Sequence, residues 1–353
     1  MTIPLTLPIS PMLAKSVPDV PAADAIPGGY AYEPKWDGFR CIVIRDGDDI
    51  ELASRGKKAL TRYFPELVEL VRAILPSRCI VDAEIVVRRG PEGAQRLDWE
   101  SLSQRIHPAE SRIIRLSRET PAELVCFDLL ALADDDLTQL PQRERRVLLE
   151  GIFASVDGSP GVHLTRMTTD EAVAVDWFTR FEGAGLDGVV AKPRDAAYEQ
   201  GKRTMLKIKH KRTAEAVVIG YRWHKNIHGI GSLLLGMYDD EHGLVPVGGI
   251  GAFSEAMRIA LVEELEPLVV RDGSGLALPA TNQRSRFSAN GNDEFVPLEP
   301  ALVVEVAFDQ LEGRRFRHAV TFVRWRPDRD PESCTLTQVD RPIAYDLSAV
   351  ISD

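Results

Sequence analysis

Apolar residues recur at two different periods along this chain, and the periods divide it. Through the first two hundred residues, helical and strand-like spacings alternate. Phe64, Leu67, Val68, Val71, Ile74 and Leu75 repeat at three- and four-residue intervals, which predicts a helix over 63–75. Thr168-Thr169-Asp170-Glu171 has a capping-box pattern and opens a second helix to about Gly183. Apolar runs at 80–87, 124–130 and 187–191 read as strands. From Ala214 onward strands dominate, over 216–221, 232–238, 244–250, 301–308 and 319–325. One helix interrupts them, with Ser254 as N-cap and its end near Leu265. Five strands and a helix are the inventory of a small Greek-key barrel of the OB type. The expected class is α+β: a mixed domain over 1–212, then a β-rich OB-fold domain over 213–353, with the boundary at Lys211–Ala214. The polar stretch 276–297 reads as a long loop.

A chain of 353 residues is long for one core, which agrees with two domains. No run approaches a membrane span, and Met1-Thr2-Ile3-Pro4 lacks a basic segment followed by an apolar core, so a cytoplasmic protein without membrane contact is expected. Cys41, Cys79, Cys126 and Cys334 lie far apart and form no Cys-x-x-Cys pair, which argues against a zinc module or a disulfide framework. The net charge of −10 counts against a broad nucleic-acid-binding face. The bases are nevertheless clustered, at Lys207, Lys209, Lys211 and Arg212 and again at Arg314, Arg315, Arg317, Arg324, Arg326 and Arg329. Local patches remain open to DNA.

Lys35-Trp36-Asp37-Gly38-Phe39-Arg40 is the densest chemical stretch. Taken alone, Asp37-Gly38 between the apolar runs 30–32 and 41–44 predicts a hairpin turn with an exposed lysine. A lysine that attacks phosphorus must first lose its proton, so it needs cationic neighbours or a metal to lower its pKa. Further clusters follow in order: Ser54-Arg55-Gly56, Asp82-Ala83-Glu84, Val125-Cys126-Phe127-Asp128, Asp187-Gly188-Val189-Val190-Ala191-Lys192, Lys207-Ile208-Lys209 and Arg324-Trp325-Arg326-Pro327-Asp328-Arg329. Lys207 and Lys209 alternate with Ile208, so they share one face of a strand and repel unless an anion lies between them.

This ordered series resembles the motifs of the covalent nucleotidyltransferases, the superfamily of ATP-dependent DNA ligases, RNA ligases and mRNA capping enzymes. There a nucleotidyltransferase (adenylation) domain precedes an OB domain. The resemblance runs from Met12-Leu13-Ala14 to Pro331 and is strongest to small bacterial DNA ligases of the ligase C type and to the ligase module of bacterial ligase D. It implies that Lys35 is the nucleophile, with Asp37 in the same catalytic turn. Glu84 would touch the ribose or a divalent metal. Asp187 stands where relatives usually carry glutamate, and its shorter arm suits a metal contact through water. Arg40 and Arg55 correspond to residues that hold the ribose and later the 5′-phosphate end. Glu33 would accept a hydrogen bond from the adenine amino group, favouring adenine over guanine. Phe127 aligns with an aromatic that stacks on the purine, and also reads as an ordinary core phenylalanine. Lys207 and Lys209 would flank the α-phosphate, and Lys192 ends its strand on the pocket side. Arg326, Asp328 and Arg329 match the last motif, whose usual final lysine is arginine here. In relatives that segment swings over the first domain to orient pyrophosphate, which implies closure about 211–214.

The implied function is ATP-dependent sealing of 3′-hydroxyl/5′-phosphate nicks in duplex DNA through a lysyl-AMP and a DNA-adenylate, in bacterial DNA repair, with Mg²⁺ or Mn²⁺. ATP is preferred over NAD because only 34 residues precede Lys35 and no zinc cysteines follow. A monomer is expected, beside a primase-polymerase or a Ku-type end-binding protein. The competing readings are an RNA ligase, a GTP-dependent capping-type enzyme, and a catalytically silent OB-fold nucleic-acid-binding protein. The sequence around Gln283-Arg284-Ser285-Arg286 reads as a disordered insertion or a DNA clamp.

Overall fold

The long strands over Arg78–Arg89 and Ala122–Leu132 are buried on both faces for most of their length and form the centre of the first unit. The computed structural model describes residues 3–154, 161–210, 212–278, 280–281, 294–339 and 344–351. It divides into a unit of Met1–Lys209 with Arg341–Asp353 and a unit of His210–Asp340. The first unit starts with β1 (Ala14–Val17), β2 (Tyr30–Pro34), β3 (Phe39–Asp46), β4 (Asp49–Ser54), α1 (Pro65–Ile74) and β5 (Arg78–Arg89). It continues with β6 (Arg96–Leu97), α2 (Trp99–Gln104), α3 (Glu110–Glu119), β7 (Ala122–Leu132), β8 (Asp135–Asp136), α4 (Gln142–Ala154) and β9 (Val162–Leu164). It closes with α5 (Glu171–Arg180), β10 (Val189–Pro193) and β11 (Met205–Ile208).

The larger sheet runs β4-β3-β5-β7-β8, with β6 on β5 and β9 on β7, and the smaller runs β1-β11-β10-β2. Strand parity decides which side chains meet between them. In β3, Cys41 and Val43 join one core with α1, while Ile42 and Ile44 join another with Met12, Tyr198 and Met205. In β5, Val81, Ala83 and Ile85 take the first core, so Asp82 and Glu84 share the opposite face.

The hairpin expected around Asp37-Gly38 does not form. β2 pairs with β10 and β3 with β4 and β5, so residues 35–38 cross from one sheet to the other. Gly38 is needed there for close approach: a Cβ would run into the Ile85 carbonyl oxygen. The second predicted helix starts later than its capping-box pattern indicates, because Asp170, not Thr168, caps it by accepting from the Ala172 N–H at 2.8 Å. Three helices, α2 to α4, have no counterpart in the sequence expectation.

The second unit comprises β12 (Arg212–Trp223), β13 (Ile230–Asp239), β14 (Gly243–Ile250), α6 (Glu255–Leu265), β15 (Ala280–Thr281), β16 (Glu294–Pro297), β17 (Val303–Phe308), β18 (Leu311–Glu312), β19 (Arg315–Phe316) and β20 (Thr321–Trp325). β14, β13, β12, β17 and β20 pair in that order, and a bridge between Ile250 and Val320 closes the ring, with Val320 N–H donating to the Gly249 carbonyl at 3.1 Å. This is the OB barrel. Ser254 caps α6 by accepting from Met257 N–H. Of the stretch 276–297, residues 279 and 282–293 lie outside the described residues, and so do Gln283–Arg286.

The last segment differs from expectation. Assigned from sequence to the second domain, 341–353 belongs to the first unit, where α7 (Ser348–Ile351) buries Leu347 and Val350 in the core of Trp177, Phe181 and Leu186. Gln95 clamps it, its carbonyl accepting from Leu347 N–H at 2.8 Å and its N–H donating to Asp346 Oδ1 at 3.1 Å. All four cysteines are buried and free. Among the described residues no helix is long and apolar enough to cross a membrane.

Candidate active site

The crossover between the sheets puts Lys35 at the mouth of a cleft of about 280 Å³. Its backbone is fixed on both sides, Lys35 N–H donating to the Gly188 carbonyl at 2.9 Å and Asp187 N–H to the Lys35 carbonyl at 3.0 Å. Gly188 has φ +125°, and a Cβ there would strike the Ile208 carbonyl. The neighbouring Trp36 is anchored through its indole N–H on Thr165 Oγ1 at 2.8 Å.

The smaller sheet supplies one wall. Glu33 and Lys207 both lie opposite Val190 in the register, so the three share a face. Lys209 follows one residue beyond β11 and keeps that parity. The larger sheet supplies Arg40, Glu84 and Phe127. Phe127 is the extra residue of a β-bulge, since Asp82 pairs with Asp128 and Ala83 with Cys126. Bulges re-aim side chains in this way. Arg55, at the turn after β4, and Arg203 complete the cationic lining.

Asp187 Oδ2 sits between two ammonium groups, 2.7 Å from Lys35 Nζ and 2.6 Å from Lys209 Nζ. Burial favours the neutral amine of Lys35, but the carboxylates of Asp187, Asp37 and Glu84 outweigh it and hold the Lys35 pKa above the usual lysine value. This reverses the expectation that cationic neighbours lower it: the nearest charges are anions. Burial, followed by Lys209 and Lys35, lowers the Lys207 pKa. Burial raises the Glu84 carboxyl to about 7 against the pull of Arg40 and Lys35, while its Oε1 accepts from Gly38 N–H at 3.1 Å. Asp187 is lowered, because its two lysines outweigh the effect of burial.

At the closed end, Glu33 Oε2 pairs with Lys192 at 2.7 Å, and Lys192 also donates to the Phe127 carbonyl at 2.9 Å. Glu33 Oε1 has no hydrogen-bond partner among the described residues and faces Arg146 Nη1 at 3.9 Å. Burial raises the Glu33 pKa against the attraction of Lys192 and Arg146. The Phe127 ring has the Arg40 guanidinium 4.6 Å and the Lys192 ammonium 4.8 Å from its centroid. Arg40 is forked onto Asp82 at 2.5 and 2.6 Å, and Asp82 accepts from the Tyr198 hydroxyl.

The first unit thus gathers Glu33, Lys35, Arg40, Arg55, Glu84, Phe127, Lys192, Lys207 and Lys209 around one cleft, with Asp187 on Lys35 and Asp37 within its field. Arg326 and Asp328 lie in the second unit, where Arg326 forks onto Asp328 at 2.9 and 2.7 Å and pairs with Glu215. The Arg326 hydrogen bond brings Asp328 down to about 2. Asp82, Tyr198, Thr165 and Arg146 support the site without having been singled out as site residues. Strand parity would have found Asp82 beside Glu84, whereas the others reach the site from distant segments.

Two family patterns match the chain: "ATP dependent DNA ligase domain" over residues 11–209 and "ATP dependent DNA ligase C terminal region" over 226–329. The chain is 50% identical to the DNA ligase C of Mycobacterium tuberculosis, covering 99% of both chains. It is 50% identical to DNA ligase C1 of Mycolicibacterium smegmatis over 100% of both. A solved Lig E DNA ligase, 17% identical, covers 90% of this chain and 99% of its own with a TM-score of 0.55, a likeness of fold.

Proposed function

The chain belongs to the ATP-dependent DNA ligase family, and from that premise we propose how its residues join a 3′-hydroxyl to a 5′-phosphate in nicked duplex DNA. The observation that carries the assignment of Lys35 is its place: an amine on a fixed crossover, bonded to one carboxylate and facing a cleft lined by Lys207, Lys209, Arg40 and Arg55.

ATP enters with adenine at the closed end, where the unpartnered Glu33 Oε1 accepts from the exocyclic amine. The Lys35 nitrogen attacks the α-phosphorus; an N–P bond forms as the bond to pyrophosphate breaks. Asp187, already bonded to Nζ, is the nearest acceptor for the departing proton. Lys207 and Lys209 balance charge on the nonbridging oxygens. Arg326 and Asp328 orient the pyrophosphate, and Asp37 sets the field at Lys35. An oxygen of the DNA 5′-phosphate next displaces the lysine and takes the AMP. The 3′-hydroxyl finally attacks that 5′-phosphorus and releases AMP.

Glu84 fits a hard divalent cation, since burial leaves its carboxylate costly to ionise and a cation offsets that cost. Asp187 is engaged by two lysines and would be a second oxygen donor beside Glu84 once Lys35 carries AMP as a phosphoramidate. Mg²⁺ or Mn²⁺ held by Glu84 would supply charge neutralisation on the phosphate oxygens. The likeness to mycobacterial ligases of the C type supports a bacterial DNA ligase; a repair role, as a cytoplasmic monomer beside a primase-polymerase or Ku-type protein, extends that reading.

The test uses α-labelled ATP or GTP with magnesium, followed by denaturing electrophoresis of the parent and Lys35→Ala. Label from ATP alone, lost in the variant, together with sealing of nicked DNA over nicked RNA, is the expected result. Label from GTP turns the reading toward capping. Label retained in Lys35→Ala overturns the nucleophile.

A further inference from the structure

Arg326 enters the chemistry above only when its guanidinium is free to meet pyrophosphate, and within the second unit that guanidinium is already engaged. Carboxylates surround it. Nη1 pairs with Glu215 and lies 3.7 Å from Glu305 Oε2, while Nε and Nη2 donate to Asp328. The Arg326 side chain is 16% exposed, and Glu215 and Glu305 are partly buried with it. Its backbone is fixed as well, Arg326 N–H donating to the Val303 carbonyl at 2.9 Å.

The cradle is built into the barrel strands. Glu215 of β12 and Glu305 of β17 stand directly opposite each other in the register. Like charges in that relation destabilise a sheet unless a cation lies between them. Arg324, opposite Glu305 on β20, supplies one cation, its Nε donating to Glu305 Oε2 at 2.7 Å. Among the described residues Glu215 has no ion-pair partner besides Arg326. Gln338 fixes the Glu215 backbone, its Oε1 accepting from the Glu215 N–H at 2.9 Å and its Nε2 donating to the Glu215 carbonyl at 2.8 Å. The carboxylates of Glu215, Glu305 and Asp328 thus face the guanidiniums of Arg324 and Arg326, and a pyrophosphate group that approaches Arg326 in this state meets an excess of negative charge.

We propose that Glu215, assisted by Glu305, is a positioning residue that stores Arg326 in the second unit and restrains the first step of the reaction: the guanidinium must exchange Glu215 for pyrophosphate oxygens before Lys35 is adenylated. The exchange breaks one charge-assisted hydrogen bond and forms another, so removal of the carboxylate shifts its balance towards the phosphates. Only the fraction of molecules with Arg326 released engages ATP productively, and the apparent KM carries that fraction. The proposal rests on the ligase reading above, in which Arg326 orients pyrophosphate, and the experiment separates the two.

Lysyl-AMP formation from α-labelled ATP is followed over a range of ATP concentrations for the full chain, Glu215→Gln, Glu305→Gln, Arg326→Ala and the double variant Glu215→Gln with Arg326→Ala. The KM for pyrophosphate is measured in the reverse discharge of the label. Glu215→Gln, close to isosteric, is expected to lower the KM for ATP and for pyrophosphate by about threefold to tenfold, the scale of one partly buried ion pair. Glu305→Gln does less, because Arg324 already engages that carboxylate. Arg326→Ala slows label uptake, and adding Glu215→Gln to it changes nothing further, which a merely structural role for Glu215 would not predict. A KM for ATP in Glu215→Gln equal to or above the parental value overturns the proposal, and so does a full Glu215→Gln effect in the absence of Arg326. A parent that takes no label from ATP overturns the ligase reading, and the proposal with it.

Discussion

Glu84 is a carboxylate that the fold makes reluctant to ionise. Burial lifts its pKa from 4.5 to about 7 despite Arg40 and Lys35 nearby. The folded chain therefore holds this proton more tightly than the unfolded chain. Stability from this group is complete below the ordinary carboxylate range and falls as pH rises from 4.5 towards 7. Glu84→Gln, which cannot ionise, should be more stable than the parent at pH 8 by up to about 3 kcal/mol and equal to it near pH 4. Urea unfolding at the two pH values checks the sign, and nick sealing by the variant should be lost. A parent equally stable relative to the variant at both pH values would mean that the carboxyl is not held neutral. At this scale the resemblance to the nucleotidyltransferases singles out Glu33, Lys35, Glu84 and Lys207, and strand parity brings Glu33 and Lys207 to one face. The Lys35 environment is not legible in the sequence. Asp187 is 152 residues away in the chain, and nothing in a linear string says that its carboxylate will reach the amine before any phosphate does.

The crossover at 35–38 shows what element-level reading missed. Two apolar runs flanking Asp-Gly carry the same pattern whether they pair with each other or with strands far along the chain. Only the partners differ, here β10 for one and β4 and β5 for the other. The glycine is needed either way, but in this fold it serves contact, not turn geometry, because it lies against the Ile85 carbonyl. Gly38→Ala should therefore cost about 2 kcal/mol or more through overpacking, and should slow lysyl-AMP formation by displacing Lys35. Chemical denaturation and label uptake measure the two effects; an alanine variant with parental values in both would show the crossover to be loosely packed. The bulge that turns Phe127 towards the cleft was likewise unreadable, since the run Leu124–Leu130 has no break where the extra residue sits. The barrel strands and α6 were easier. Each is an apolar run bounded by turn residues or a serine cap, and local sequence suffices for those.

At the scale of the molecule, the last residues serve the first unit although they follow the second. Leu347 and Val350 are fully buried among Trp177, Phe181 and Leu186, and Tyr345 packs against Phe181 at 5.4 Å with the Arg180 guanidinium over its ring. A short segment with two buried apolar residues and no periodic length is invisible to pattern reading, so it was assigned by proximity in sequence. Leu347→Ala should cost about 2–5 kcal/mol, read as a lower melting temperature of the first unit, while the Ser254-capped barrel keeps its own transition. A variant melting like the parent would show the segment to be a passive tail. The same return has a consequence for how the protein is made. Nascent domains usually fold in the order in which they leave the ribosome. Here the core under α5 lacks Leu347 and Val350 until the barrel between them and the rest of the unit has been translated, so the adenylating half waits for the barrel to be synthesised first. A polypeptide whose synthesis stops early would carry Lys35 in an unfinished core, and the chain makes its reactive half complete only when the rest of it exists.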